Sequence, residues 1–179
     1  YRVKSFEKRY NVTQLTRFFE TTMIKYIKWL EIFDAHQFDK MKSIEGITFP
    51  FEEYREGQRK FMGAVYQSLI KGDILYSIAP TGIGKTIAAL FSSLKTIKNE
   101  REKIFYLTAK NAGKKIVVDT VNLLKEKGLI AKSVVLNSKE SMCLMDKVDC
   151  DPDICPYAKG FFDRLKDGLE DIFVHDDVY

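Results

Sequence analysis

The chain has 179 residues, 45% of them apolar, and 29 basic against 25 acidic side chains leave a net charge of +4. That composition excludes an intrinsically disordered chain and fits one packed domain, or one domain with an insertion. The small positive excess permits a polyanionic partner without requiring one, because nucleic-acid binding depends on a local basic surface rather than on total charge.

No charged-then-apolar leader opens the sequence, and Lys25 and Lys28 interrupt the most apolar helical stretch, so a cytoplasmic protein with no membrane partner is expected. The first residue is Tyr1 and the closing EDIFVHDDVY ends on no clear element, so the sequence reads as a piece of a longer chain.

Taken in chain order, residues 13–33 place Leu15, Phe18, Phe19, Met23, Tyr26, Ile27, Leu30 and Phe33 on a helical stripe, with Asn11 as the expected N-cap. Gly46 and Pro50 in SIEGITFPF break that pattern and set a domain boundary near 47. Residues 55–70 read as a helix and DILYSIA at 73–79 as a buried strand. A helix at 85–98 follows, then a strand at 103–109 (KIFYLTA), a helix at 112–127 closed by Gly128, and a third strand at 133–136 (SVVL). Alternating strands and helices predict an α/β fold, a mainly parallel sheet with flanking helices. After Ser138, cysteines, Asp and Pro crowd KESMCLMDKVDCDPDICPYAKG at 139–160, and no strand or helix period survives there.

Between the first predicted strand and the helix after it lies APTGIGKT, residues 79–86. The spacing matches the phosphate-loop pattern, with Ala79 where the strict form has glycine. Gly82 and Gly84 permit the backbone geometry that turns successive N–H groups onto phosphate oxygens. Lys85 supplies a point charge between the outer phosphates of a nucleotide, and Thr86 offers its hydroxyl to Mg²⁺ at the positive end of the helix. Pro80, Thr81 and Ile83 complete the expected nucleotide-binding loop.

The cysteines fall as Cys143, six residues, Cys150, four residues, then Cys155-Pro156. Close-spaced thiols in a reducing compartment more often bind metal than form disulfides. Four thiolates normally complete a four-iron cluster or a structural zinc site, and this chain has three. Iron–sulfur ligation, zinc ligation and free structural thiols all stay open on the residues alone.

Together these stretches resemble the XPD/DinG-type superfamily 2 DNA helicases that carry an iron–sulfur cluster, over about residues 48–170. FPFEEYREGQRKFMGAVY resembles the segment ahead of their first motif, APTGIGKT that motif itself, and KIFYLTAKN their motif Ia. LNSKESMCLMDKVDCDPDICPYAKGFFDRLKDGL resembles the opening of the cluster domain in the large bacterial members with a nuclease-like region upstream.

The resemblance implies three parts: 1–47 as a helical linker or tail of an upstream domain, 48–138 as the first part of a P-loop RecA-like domain, and 139–179 as a partial cluster domain. It implies that Gln58 reads adenine, and that Thr108, Lys110, Asn111 and Lys114 meet the backbone of single-stranded DNA, with Lys115 beside them. A solvated cationic helix face is the competing reading of those lysines. It also implies that Cys143, Cys150 and Cys155 are ligands of a 4Fe-4S cluster whose fourth ligand lies downstream. On this reading the chain is part of an ATP-dependent, 5′-to-3′ DNA helicase. Its Mg²⁺-binding acid and second RecA-like domain would then lie beyond residue 179, and the chain alone would turn over little ATP. The apolar run and acids of IFVHDD at 172–177 are not taken as that acidic motif. The alternatives are a nonenzymatic, zinc-stabilised nucleotide-binding interaction module and a P-loop phosphotransferase. For the latter, Arg101 and Arg164 are not arranged as acceptor-site or lid arginines.

Overall fold

The computed structural model describes residues 7–109 and 111–175, and for Asn111, Lys166 and Asp167 the backbone only. Six helices carry these residues: α1 (Val12–Gly46), α2 (Gln58–Lys71), α3 (Lys85–Leu94), α4 (Asn111–Glu126), α5 (Lys139–Met142) and α6 (Phe161–Val174). The chain divides into two units after His36.

In the first unit, Asn11 starts α1 through a reciprocal cap. Its Oδ1 accepts from the Gln14 amide at 2.8 Å, and its own amide donates to Gln14 Oε1 at 3.1 Å, which satisfies two backbone donors at the helix start. The apolar stripe that predicts this helix is present, and Leu15, Phe18, Phe19, Tyr26 and Ile27 on it are exposed.

The second unit holds the core. Ile44 and Ile47 at the end of α1, Ile87, Phe91 and Leu94 on α3, and Leu124 and Leu129 at the end of α4 form one buried cluster, with Phe49, Met62 and Ile97 packed on it. Phe49 sets its ring edge-on to Phe91 at 5.5 Å and stacks on Tyr54 at 4.7 Å, a geometry favoured by the ring quadrupoles. Lys95, just past α3, donates to the Ile44 and Glu45 carbonyls at 2.7 and 2.9 Å and so satisfies acceptors that the end of α1 leaves open. Desolvation holds the Lys95 ammonium below the ordinary lysine value, against the opposing pull of Glu45.

Helix ends follow local chemistry. Gly72 caps α2 at φ +74°, with the Asp73 amide donating to Ser68 O at 2.9 Å. Gly128, at φ +102°, closes α4 as expected and lets the Leu129 amide return to Leu124 O at 3.0 Å.

The parallel sheet is a correction. Among the described residues there is no strand, so the α/β, RecA-like fold expected from the alternation is absent and the covering layer is helix on helix, α2 along α3 and α3 against α4. Residues 73–79, 103–109 and 133–136 are connections between helices, with Ile74, Tyr76, Ile78, Phe105, Leu107, Val134 and Leu136 exposed. The physical reason is that apolar alternation is a local signal, whereas a strand exists only through a ladder to a partner.

Candidate phosphate loop and its neighbours

Residues 79–84 lead directly into α3, whose first residue is Lys85. Gly82 and Gly84 stand at φ +87° and +78°, the left-handed region that glycine enters without steric cost. The loop is folded on itself by its own lysine: Lys85 Nζ donates to Ala79 O at 3.0 Å and to Pro80 O at 2.8 Å. The ammonium is therefore held over the loop. The first-turn amides of α3 have no intrahelical acceptor and carry the positive end of the helix dipole. Thr86 lies in that first turn, half-buried, while Pro80 and Thr81 are exposed.

A brace from the start of α2 fixes this loop. Gln58 is 2% exposed, so its amide must be satisfied within the protein. Its Oε1 accepts from the Arg55 amide at 3.1 Å, and its Nε2 lies against Gly84, where an added Cβ would stand 2.4 Å away. Gly84 is thus demanded twice, by its backbone angle and by the amide beside it. Arg55 Nη1 donates to the Gly82 carbonyl. The side chain of Ile83, buried, fits against Gly57, where a Cβ would meet Ile83 Cδ1 at 3.3 Å. Gln58, assigned to adenine in the sequence reading, is in this arrangement the wedge between α2 and the loop. Arg55 went unnoticed in the sequence; its signal was its place three residues before Gln58, the span of the turn closed by the Gln58 amide on Arg55 O at 3.0 Å.

Of the residues expected on DNA, Thr108, Asn111 and Lys114 lie at or just ahead of the start of α4. Thr108 packs on Gly113, where a Cβ would meet Thr108 Cβ at 2.9 Å. Asn111 opens α4, and Lys114 donates to Leu136 O at 3.0 Å and to Asn137 Oδ1 at 3.1 Å. Lys110 lies outside the described residues.

The cysteine segment is ordered locally. Ser138 caps the single turn of α5, its Oγ accepting from the Ser141 amide at 3.2 Å. Asp149 and Asp151 accept from backbone amides two residues on, and the Cys155 amide donates to Asp151 O at 2.7 Å. Cys155 is buried, Cys143 half-buried and Cys150 exposed, all as free thiols. The Lys139 ammonium is held above the ordinary lysine value, first by Cys150 and to a lesser extent by Glu140 and Cys143. The three thiols lie in one short segment of the chain. In chemical type they suit a soft metal, but among the described residues no three His, Cys, Asp or Glu side chains are gathered as a metal site.

At the end of α6 the apolar residues Ile172 to Val174 are helical, in keeping with leaving IFVHDD aside as an acidic strand motif; Asp176 and Asp177 lie outside the described residues. No helix of the described residues is long and apolar enough to cross a membrane.

No protein-family model matches the chain, and neither a curated protein nor a solved structure matches it. The functional reading therefore stands on the residues and their arrangement.

Proposed function

We propose that residues 79–86 bind the phosphates of ATP with Mg²⁺, and that the chain serves as the nucleotide-handling part of an ATP-dependent DNA helicase acting on single-stranded DNA. The observation that carries the reading is the loop itself: two left-handed glycines ahead of a helix start, with the Lys85 ammonium folded over the loop carbonyls. Such a loop offers backbone donors, a cation and a helix N-terminus to one anion.

In the proposed complex Lys85 leaves the Ala79 and Pro80 carbonyls for the outer phosphates, Thr86 ligates Mg²⁺, and Arg55 and Gln58 keep Gly82 and Gly84 in place. The catalysis such a loop supplies is electrostatic and positional, because phosphoryl transfer requires little covalent chemistry from the protein. Within this reading Cys143, Cys150 and Cys155 are soft ligands completed by a further group from elsewhere, and no step is routed through them.

The test is calorimetric titration of MgATP into the chain, followed by DNA-stimulated ATP turnover in the longer protein proposed to contain it. Binding weakened roughly ten- to hundredfold in Lys85→Ala, with turnover raised by single-stranded DNA, supports the reading. Nucleotide binding with no DNA-stimulated turnover assigns the chain instead to a nonenzymatic nucleotide-binding module, and no nucleotide binding ends the phosphate-loop assignment.

A further inference from the structure

The end of α1 places Phe38, Met41, Lys42 and Glu45 at helical spacings of three and four, which puts them on one face. That face borders a cleft of about 560 Å³, closed on its other side by Lys95, Ile97 and Lys98 past the end of α3. The base of the cleft is Ile44, a member of the buried core cluster, and Ile97 packs against the same cluster. Phe38, also in the lining, is 69% exposed, so a large ring is left in water beside an apolar recess. Surfaces of that kind mark sites of interaction.

Two lysines hold the walls at a fixed spacing. Lys95 Nζ donates to the Ile44 and Glu45 carbonyls, and Lys40 Nζ donates to Glu100 O at 2.8 Å, so the end of α1 is tied to 95–100 at two points. A cleft tied in this way costs little to order on binding. The charges of its rim are uncommitted. The Lys42 and Lys98 ammoniums, both exposed, make no hydrogen bond or ion pair among the described residues. Glu102 spends its carboxylate on the Lys98 amide at 2.8 Å and the Asn99 side chain at 2.7 Å. The Glu45 carboxylate is likewise without a hydrogen bond or ion pair among the described residues.

The lining thus holds three ammoniums and one carboxylate around an apolar base. A nucleic-acid strand would bring its phosphates against Glu45, and a bilayer surface is too flat to enter the recess. A peptide segment meets every group: apolar side chains for the base and the Phe38 ring, carboxylates for Lys42 and Lys98, and a main-chain N–H for Glu45. The basic excess of the rim sets the sign of the partner, since complementary charge fixes register and suppresses wrong partners. We infer that the cleft between the end of α1 and residues 95–98 docks a short acidic, amphipathic peptide segment of a partner protein, with Phe38 as the aromatic anchor and Lys42 and Lys98 as the charge contacts. The cleft shares no residue with the nucleotide loop or with α4, so the inference is independent of the proposed function.

The experiment is selection on the chain from a display library of short random peptides, followed by fluorescence anisotropy of the enriched sequences as labelled synthetic peptides. The expected result is enrichment of sequences that combine Asp or Glu with Leu, Ile, Phe or Trp. Phe38→Ala weakens their binding roughly tenfold or more, as for truncation of an aromatic anchor. Lys42→Glu combined with Lys98→Glu weakens it about tenfold or more, and the same protein gains binding to peptides whose acidic residues are exchanged for lysine. A merely structural role for the two lysines would not give that reversal. Lys71→Glu, the same change at the exposed end of α2, leaves affinity unchanged, and circular dichroism checks that each variant is folded. Failure to enrich acidic, apolar sequences, or equal affinity in the doubly substituted protein, would overturn the proposal. So would full displacement of the peptide by oligo-dT, which would make the cleft a polyanion surface, or by decanoate, which would make it a site for a small amphiphile.

Discussion

The loop at 79–86 and the cysteine segment at 138–160 are the two chemistry-bearing stretches of the second unit, and they are built differently. The loop is held by contacts from far along the chain: Arg55 reaches Gly82, Gln58 packs on Gly84, and Ile83, Ile87 and Ala88 are buried. The cysteine segment is held by turns between near neighbours, and Cys155 is the one buried side chain in it. A site braced from outside itself keeps its geometry before a ligand arrives, and binding then costs little ordering. A segment held by local turns gains its geometry when something binds. The loop at 79–86 is therefore shaped from outside itself, and the cysteine segment from within.

The largest way to break this contrast is to remove the support beneath the loop. Leu124 is 0% exposed in the cluster that carries α3, and Leu124→Ala is expected to lower stability by about 2–5 kcal/mol. Hydrogen exchange should show protection falling across α3 and the loop, with amides of 143–154 unchanged because they are weakly protected from the start. Equal loss in both regions would show that they form one cooperative unit.

A smaller change targets the brace. Gly84→Ala imposes a left-handed angle on alanine and drives its Cβ into Gln58 Nε2, an expected loss of about 1–3 kcal/mol. Placed in a Gln58→Ala background, the same substitution should cost less, since only the backbone term remains. Denaturant titrations of the four proteins give the coupling, expected at about 0.5–2 kcal/mol. Additivity would mean that Gln58 does not hold the loop.

The thiols supply the third contrast. Cys155→Ser buries a hydroxyl in place of sulfur and is expected to cost about 1–2 kcal/mol, whereas Cys150→Ser, at an exposed position, should stay within about 0.5 kcal/mol of the parent. Thermal denaturation of the apo chain reads both. A large effect at Cys150 would reveal tertiary packing that the local turns do not provide.

The smallest effect is a pH slope. Desolvation lowers the pKa of half-buried Lys95, and of Lys40 against the opposing charges of Glu100 and Glu102, from the ordinary 10.5. Between the lowered folded value and 10.5 the unfolded chain binds more protons, so the contribution of each lysine to stability rises with pH through that alkaline window. Both side chains remain partly in water and screening keeps the slope shallow. Lys95→Met should flatten it; an unchanged slope would place its origin elsewhere.

Much of the site was legible because its signals are local. Asn11 before α1, Gly128 after α4 and the paired glycines before Lys85 each specify a cap or a left-handed residue within a few positions. The helices at 55–70, 85–98 and 112–127 were found to within a few residues for the same reason. The sheet was misread because DILYSIA and KIFYLTA carry strand propensity, while pairing depends on residues remote in sequence. The Arg55–Gly82 contact, spanning 27 positions, and the closure of Lys114 onto Asn137, spanning 23, were likewise beyond any local pattern.

The central claim is that the loop binds nucleotide phosphates through Lys85, and titration of MgATP into the wild-type chain and Lys85→Ala by isothermal calorimetry tests it most directly. The account predicts saturable one-site binding to the wild type and roughly ten- to hundredfold weaker binding to the variant, the effect of removing one charged hydrogen-bond donor from a phosphate. Equal binding by the two proteins, or no binding by the wild type while its helices are intact, would contradict it.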